Sequence, residues 1–203
     1  MSALIERRKA ATRFDIARAA VELFTAKGVA ATTAEEIAAA AGISLRTLWR
    51  YTTSKEACVI PLFTVGVDYF TQAVLAWPRG RGVEALMDEI ERGSEALPDP
   101  APFLALVKMA RTDPALRVAW LQAHDDAEAG YASALAQRMD GEADSLPIRT
   151  LATVINNTLR VATEQYAWHT APGAGEVDGL LAEIGTALGE LDTAICRRGR
   201  GHG

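Results

Sequence analysis

The chain has 203 residues, of which 49% are hydrophobic and 23% charged, with a net charge of −5. This composition is typical of a soluble globular protein with one or two cored domains. The two cysteines, Cys58 and Cys196, stand far apart without metal-ligand spacing, which favours two reduced cytosolic thiols. The longest apolar stretch, 57–67, is too short to cross a bilayer and contains Pro61. Residues 1–9 carry charges with no apolar core after them, so we expect no signal peptide.

The charge is distributed unevenly along the chain. Residues 1–60 hold nine Lys and Arg against six Asp and Glu, a net charge of +3, and the remainder holds twelve against twenty, a net charge of −8. Attraction to phosphate acts only within about 10 Å, the Debye length at moderate ionic strength. A basic amino-terminal region can therefore bind nucleic acid although the whole chain is acidic.

The first element in chain order is a basic segment followed by an amphipathic helix. We expect residues 1–9, with Arg7, Arg8 and Lys9, to be a short arm that is either solvated or lies along a nucleic-acid backbone. From about residue 10 to 27, apolar side chains recur at the spacing of a helix that Gly28 ends. Its apolar side chains are Ile16, Ala20, Leu23 and Phe24.

The next stretch predicts two short helices joined by a glycine turn. Thr33 and Glu36 have the spacing of a capping box. Gly42 can adopt a positive φ and end the first helix, and Ser44 caps a second helix whose Leu48 packs against Ile37. The pattern predicts a helix-turn-helix.

The second helix of the pair carries many groups that can contact bases and phosphates. They are Leu45, Arg46, Thr47, Trp49, Arg50 and Tyr51. Residues 53–56 give a second capping box, and the start of that next helix, with Lys55 beside it, predicts a phosphate clamp.

Residues 8–60 resemble the DNA-binding domain of the TetR family of transcriptional repressors. This chain has Thr52 where most members have an aromatic residue, and Cys58 where most have leucine. The matching residues are Ile16, Ala17, Ala20, Leu23, Phe24, Gly28, 32–37, Ala41, Gly42, Ile43, Ser44, Thr47, Leu48, Tyr51, Ser54, Lys55 and Glu56.

We therefore expect sequence-specific binding to duplex DNA. Our hypothesis places base-edge contacts in the major groove at Leu45, Arg46 and Trp49, with Arg46 a candidate for guanine. The expected phosphate contacts are Thr33, Thr47, Arg50, Tyr51 and Lys55.

A long linking helix is predicted over 54–77, and further helices follow it. Pro61 lies inside that helix and is expected to cost a hydrogen bond or produce a kink. The cluster from Trp77 to Gly82 marks a boundary. Further helices are predicted over about 83–97, 103–111, 113–139, 147–170 and 177–197, with turns at 98–102, 141–147 and 171–176 and a tail at 199–203.

No segment alternates like a strand, so the predicted fold is all-α with about nine helices. We expect a helix-turn-helix DNA-binding domain over 1–53, the linking helix over 54–77, and a helical effector-binding and dimerisation domain over 78–203.

The last two long helices predict a dimer. They carry more apolar surface than one small domain readily buries, and Gly185 and Gly189 allow helices to approach closely, which suggests a two-fold four-helix bundle. TetR relatives dimerise through their last two long helices, so the resemblance implies the same here. The alternative is that these helices only complete the core of one chain. The expected interface residues are Leu159, Tyr166, Leu181, Ile184, Gly185 and Leu188.

The resemblance also implies a cavity for a small hydrophobic effector. Each candidate lining residue suits a plain core equally well. His124 interrupts an apolar stripe, and Asn156 and Arg160 either hold an anionic head group or face solvent. Residues 113–117 faintly resemble relatives thought to bind ligands similar to fatty acyl-CoA. The candidates are Phe63, Phe70, Met87, Ile90, Phe103, Val107, Trp120, His124, Tyr131, Asn156 and Arg160.

Two other functions compete with a dimeric, ligand-responsive, cytoplasmic repressor that needs no cofactor. One is a His-Asp metal-dependent hydrolase, suggested by His124, Asp125 and Asp126; it would need further ligands, and only His169 and His202 remain as histidines. The other is a helical protein–protein interaction module. The many donors on the second helix of the pair speak against it, because a purely structural helix pair does not need them.

Overall fold

The computed structural model describes residues 2–94, 100–170 and 177–199. In these ranges it is all-α, with nine α-helices, one 3-10 turn and no strand, which confirms the predicted fold class. The elements are α1 Ser2–Lys27, α2 Ala34–Ala40, α3 Leu45–Tyr51, the 3-10 turn Glu56–Val59, α4 Ile60–Ala76, α5 Val83–Ser94, α6 Ala101–Met109, α7 Pro114–Met139, α8 Leu146–His169 and α9 Val177–Gly199. The predicted turn at 171–176, the tail from 200 to 203, and residues 95–99 lie outside the described residues.

The chain forms two compact units. The first comprises Met1–Gly66 with Pro102–Ala123, and the second comprises Val67–Ala101 with His124–Gly203. This division follows packing and does not coincide with the three segments predicted from sequence. Those segments stay a prediction, because compactness does not test where each function resides.

Helix α1 is the centre of the first unit and starts earlier than predicted. Its core side chains include Ile16, Ala20 and Phe24, each at most 2% exposed. The predicted start of this helix near residue 10 was wrong, because α1 begins at Ser2. Whether residues 1–9 lie along a nucleic-acid backbone stays a prediction. Residues 6–10 are good helix formers, and Lys9 Nζ bonds Glu6 Oε1 at 2.9 Å one turn away, so the helix continues toward the amino terminus.

The predicted linking helix is a 3-10 turn followed by α4. Ile60 N donates to Ala57 O, and α4 starts at Ile60. Pro61 therefore lies in the first turn of α4, where a missing N–H costs no helical hydrogen bond. The expected cost of Pro61 inside a continuous helix was wrong for this reason.

The helical segment Glu56–Ala76 is long enough and apolar enough to cross a membrane, judged by its length and composition alone. The sequence-based expectation considered only the uninterrupted stretch 57–67. The protein itself buries Phe63, Val67 and Phe70 on this segment. A core helix of a soluble protein satisfies the same test.

Helices α4 and α6 meet in the first unit where Gly66 faces Phe103. A Cβ atom built on Gly66 would lie 2.5 Å from Phe103 Cε2, closer than real contacts allow. The absence of a side chain at Gly66 therefore leaves the space that the Phe103 ring occupies.

The second unit is built on α8 and α9, with α5 against α9. Leu159, Leu181, Ile184 and Leu188 form its apolar core and are each at most 7% exposed. Gly185 faces α5, because a Cβ atom there would lie 3.3 Å from Met87 Cε. The apolar stripes of these helices are thus covered within one chain.

Candidate nucleic-acid interface

The amino terminus of α2 is held by the predicted capping box. Thr33 N donates to Glu36 Oε2 at 2.8 Å, and Glu36 N donates to Thr33 Oγ1 at 3.3 Å. Lys27 Nζ also bonds Glu36 Oε1. The bond from Lys27, followed by the bond from the Thr33 backbone, lowers the pKa of Glu36 to about 2. The bond from Lys27 ties the end of α1 to the start of α2.

The turn between α2 and α3 is a Schellman motif centred on Gly42. Gly42 has φ +69. Its N–H donates to Ala39 O at 3.1 Å, and Ile43 N donates to Ala38 O at 2.9 Å. The predicted positive φ at Gly42 is confirmed, and it ends α2 sharply enough for α3 to follow after four residues.

Ser44 caps α3 as predicted. Ser44 Oγ accepts from Thr47 N at 3.1 Å and lies 2.9 Å from Thr47 Oγ1. Where α2 and α3 pack together, Ile37 and Leu48 are both 0% exposed. The helix-turn-helix therefore has a closed apolar side, and its other side is free for recognition.

The opposite side of α3 is open to solvent. Arg46, Trp49 and Arg50 are exposed, and the Trp49 side chain is 46% exposed although it is large and apolar. These positions are three and four residues apart and so lie on one side of the helix. Leu45, Thr47 and Tyr51, also predicted to contact DNA, are half-buried. The guanidinium groups on this side can pair with an anionic partner, and burial of the Trp49 ring against it would stabilise such a contact.

Tyr51 is flanked by two guanidinium groups. Arg50 Cζ lies 5.5 Å from the centre of the Tyr51 ring, and Arg13 Cζ, on α1, lies 5.9 Å from it. Arg13 was not among the predicted DNA contacts. The only sequence signal for it was its place among the basic residues of the amino-terminal region, since 38 positions separate it from Tyr51.

Lys55 uses its charge within the protein. Its Nζ donates to Val29 O at 2.7 Å and to Thr32 O at 2.8 Å, both in the turn between α1 and α2. It also lies 3.9 Å from Glu56 Oε1. Direct phosphate contact by Lys55 stays a prediction, since in the unbound chain its ammonium group is already bonded to these carbonyl groups.

The second capping box predicted over 53–56 was wrong in its residues. Ser54 Oγ, not Thr53, accepts a bond from the backbone, from Ala57 N at 3.1 Å. Thr53 is exposed. The chain begins a 3-10 turn here instead of an α-helix, which shifts the capping position by one residue.

The effector candidates in the first unit form an aromatic cluster. The Trp120 ring centre lies 5.1 Å from that of Phe63 and 5.8 Å from that of Phe103. Phe63, Trp120 and Val107 are at most 1% exposed. These side chains pack against one another as core.

The effector candidates in the second unit are bonded to one another or buried. His124 Nδ1 lies 2.6 Å from Asn156 Oδ1, and Asn156 Nδ2 donates to His124 O at 2.8 Å, which joins α7 to α8. Arg160 Nη1 pairs with the buried Glu164 at 2.8 Å. Asn156 and Arg160 therefore have different partners within the chain, and their joint binding of an anionic group stays a prediction. The remaining candidates, Phe70, Ile90 and Tyr131, are buried, and Met87 is half-buried.

The residues that suggested a metal-dependent hydrolase do not come together. His124 is buried and bonded to Asn156, whereas Asp125 and Asp126 are exposed on α7. Within the described ranges, no group of three or more His, Cys, Asp or Glu could hold a metal ion.

The predicted dimer residues fall into two groups. Leu159, Leu181, Ile184 and Leu188 are buried within one chain, so a partner chain could cover little more of them. Tyr166 and Gly185 are half-buried. A dimer through α8 and α9 would therefore have to use the other sides of these helices.

The comparisons with known proteins agree with this geometry. Residues 16–61 match the family described as bacterial regulatory proteins, tetR family. The HTH-type transcriptional regulator TcmR of Streptomyces glaucescens is 27% identical over 173 residues, which cover 80% of this chain and 76% of that protein.

Two solved structures are similar over most of the chain. One, from Mesorhizobium loti and assigned to the TetR family, has a TM-score of 0.61 at 22% identity and covers 93% of this chain and 98% of that one. The other is Thermus thermophilus FadR, a TetR-family transcriptional repressor in complex with lauroyl-CoA. It has a TM-score of 0.54 at 25% identity and covers 88% of this chain and 92% of that one. Residues 16–61 therefore form a helix-turn-helix domain of the TetR family of bacterial regulatory proteins.

Proposed function

We propose that this protein is a homodimeric cytoplasmic repressor that binds palindromic operator DNA through α2 and α3 and releases it when a small hydrophobic effector binds. The observation that carries the proposal is the two-sided α3. One side buries Leu48 completely, and the other leaves Arg46, Trp49 and Arg50 exposed together. We propose no catalytic role.

Helix α3 is the element that lies in the major groove. Arg46 can donate two bonds to a guanine, and Trp49 and Leu45 offer apolar contact to a thymine methyl group. Arg50, Tyr51, Thr47 and Thr33 bind phosphates and set the register. We assign Lys55 to positioning, because its bonds to Val29 O and Thr32 O hold the turn before Thr33.

Two copies of α3 are needed because one short helix makes few base contacts. A two-fold dimer presents its two helix-turn-helix domains, here called heads, one or more turns of the DNA helix apart, in steps of about 34–36 Å. It can therefore bind a palindromic sequence. The dimer surface we propose is the outer side of α8 and α9. On α9, Ala182, Thr186 and Gly189 are exposed and small; on α8, Asn157 and Val161 are exposed, Val161 by 53%. Small side chains let two helices approach closely.

The effector we propose is hydrophobic, with an acyl chain as the leading class. FadR, which has a similar fold, was solved with lauroyl-CoA. In this chain the aromatic candidates Phe63, Phe103 and Trp120 are packed in the first unit, and Phe70, Met87 and Tyr131 lie in the second. An effector that inserts among such side chains selects a different packing. To weaken DNA binding tenfold, the effector must bind the DNA-free state of the protein more tightly than the DNA-bound state by about 1.4 kcal/mol.

The decisive experiment is selection of genomic DNA fragments that the purified protein binds, followed by anisotropy titration of a recovered duplex. A palindromic consensus bound by a dimer in sedimentation supports the proposal. Addition of lauroyl-CoA or free fatty acid should then raise Kd if the effector class is right. No enrichment of any fragment at modest salt would refute the DNA-binding role.

Arg46 gives a residue-level test of the proposed contacts. Arg46→Ala should lose preference at one or two base pairs, by about 1–3 kcal/mol, and leave the other positions unchanged. Equal loss on every sequence would make Arg46 a phosphate contact instead.

A further inference from the structure

The feature that the family resemblance did not include is the pairing of Arg13 with Tyr51. Arg13 lies on α1, outside the helix-turn-helix, yet its guanidinium lies over the Tyr51 ring at 5.9 Å, as Arg50 does at 5.5 Å. Tyr51 is half-buried and both arginines are exposed. One aromatic ring at the carboxyl end of α3 therefore organises two cations from two different helices.

Two like charges at one ring repel each other unless an anion balances them. In the part of the chain that the structure describes, neither guanidinium forms an ion pair. The charge of Arg13 contributes to lowering the pKa of Glu6, but the carboxylate of Glu6 is bonded to Lys9, which is the main cause of that shift. The arrangement is thus locally positive and lacks a matching carboxylate.

The surroundings of the ring leave room for an anion. Beside it is a groove of about 220 Å³ whose lining includes Arg13, Tyr51, Thr53 and Pro61. Thr53 is exposed at this groove. The groove adjoins the end of α3, the helix that we place in the DNA major groove, so the anion that reaches it is a phosphate of the same duplex.

We propose that Arg13 is an additional phosphate-contact residue of the DNA interface, held in place by the ring of Tyr51. This inference rests on the proposed function. It extends the contact surface from the helix-turn-helix onto α1 and gives Tyr51 a second role, that of a platform for cations. A planar guanidinium can stack on the ring and still donate bonds to a phosphate from its edge, which lysine cannot do.

The test is the salt dependence of binding to a labelled mixed-sequence duplex of about 40 base pairs, long enough for two heads. Arg13→Ala should reduce the slope of log K against log salt by about 0.9 for each head, or about 1.8 for a dimer. Between 0.05 and 0.2 M salt, a difference of 1.8 corresponds to a change of about twelvefold in the ratio of the two affinities. Arg18→Ala is the matched control, since Arg18 is also exposed on α1 but lies about 140° away around the helix.

Two further variants separate phosphate contact from a purely structural tie between α1 and α3. Arg13→Lys should retain the slope, because the charge remains, and bind a few-fold more weakly. Arg13→Ala should have a smaller effect in a Tyr51→Leu background than in a Tyr51→Phe background, because only phenylalanine keeps the platform.

The possible failures are distinguishable. An unchanged slope for Arg13→Ala, together with a lower unfolding midpoint, would make the pair structural and overturn this inference alone. Failure of the unaltered protein to bind any duplex would overturn the proposed function and this inference with it. A further control is competition by inorganic phosphate at constant total ionic strength. If phosphate competes equally with DNA for the unaltered protein and for Arg13→Ala, and the slope is also unchanged, the inference is wrong.

Discussion

Removing the charge of Lys55 tests whether this residue positions the interface or contacts DNA directly. Lys55→Met retains most of the apolar stem and deletes the bonds to Val29 O and Thr32 O, which measure 2.7 and 2.8 Å. A hydrogen bond to a charged group contributes about 1.5–3 kcal/mol when protected from water. The Lys55 side chain is 24% exposed, so water can partly replace the lost bonds. We therefore expect about 1 kcal/mol for each bond and about 2 kcal/mol in total.

Urea unfolding followed by circular dichroism measures this loss directly. In thermal unfolding of a chain of this size, a loss of about 2 kcal/mol corresponds to a midpoint lower by about 4–8 °C. Lys9→Met is the matched control: Lys9 is 47% exposed in its pair with Glu6, so the same change of charge should cost less than about 1 kcal/mol.

DNA binding by the same variant separates the two roles. A residue that only holds the turn before Thr33 leaves the number of neutralised phosphates unchanged, so affinity falls on all sequences while the salt slope is retained. Loss of the phosphate contact that the sequence predicted for Lys55 would instead lower the salt slope. Unchanged stability together with a slope lower by about 0.9 per head would refute the positioning role.

Three other changes test separate parts of the structure. Gly42→Ala should lower the free energy of unfolding, measured in urea, by about 1–2 kcal/mol, because φ is +69 there. Gly82→Ala is the control: position 82 has open space and no positive φ, so the free energy of unfolding should change by less than about 0.5 kcal/mol. Glu36→Gln tests pH dependence: since the folded pKa is lowered to about 2 from 4.5, the stabilisation is present above pH 4.5 and is lost as pH falls toward 2. The two unfolding midpoints should therefore differ at pH 6 and converge near pH 2, and a constant difference would contradict the assignment. Val161→Glu, at a position 53% exposed on α8, should shift sedimentation toward the monomer and weaken DNA binding, and a retained dimer would exclude that surface.

The parts of this structure that were predictable from sequence depend on near neighbours. Thr33 caps a helix three residues ahead of Glu36, and Gly42 ends it, so both signals lie within one short window. The partners of Lys55 lie 26 and 23 residues away, and nothing local indicates them. The pairing of Arg13 with Tyr51 was hidden for the same reason.

The amphipathic stripes in the sequence predicted the helices, but they did not predict which residues cover the apolar side of each helix. Leu181, Ile184 and Leu188 have the spacing of a packed side, and this spacing is the same whether a partner chain or the chain's own α8 covers it. The structure shows that the chain itself buries them. Pro61 posed a similar difficulty, since whether a proline breaks a helix depends on where the helix starts, and sequence signals leave that uncertain by a few residues.

The contact between Gly66 and Phe103 restricts how related sequences can differ. Because a Cβ atom at position 66 would lie 2.5 Å from the aromatic ring, alanine there requires a shift of the Phe103 ring, a smaller residue at 103 or a wider separation of the two helices. The two positions should therefore co-vary among relatives that share this backbone. An aligned sequence with a larger residue at 66 and an aromatic residue retained at 103 would mark a branch in which the ring has shifted or α4 and α6 have moved apart.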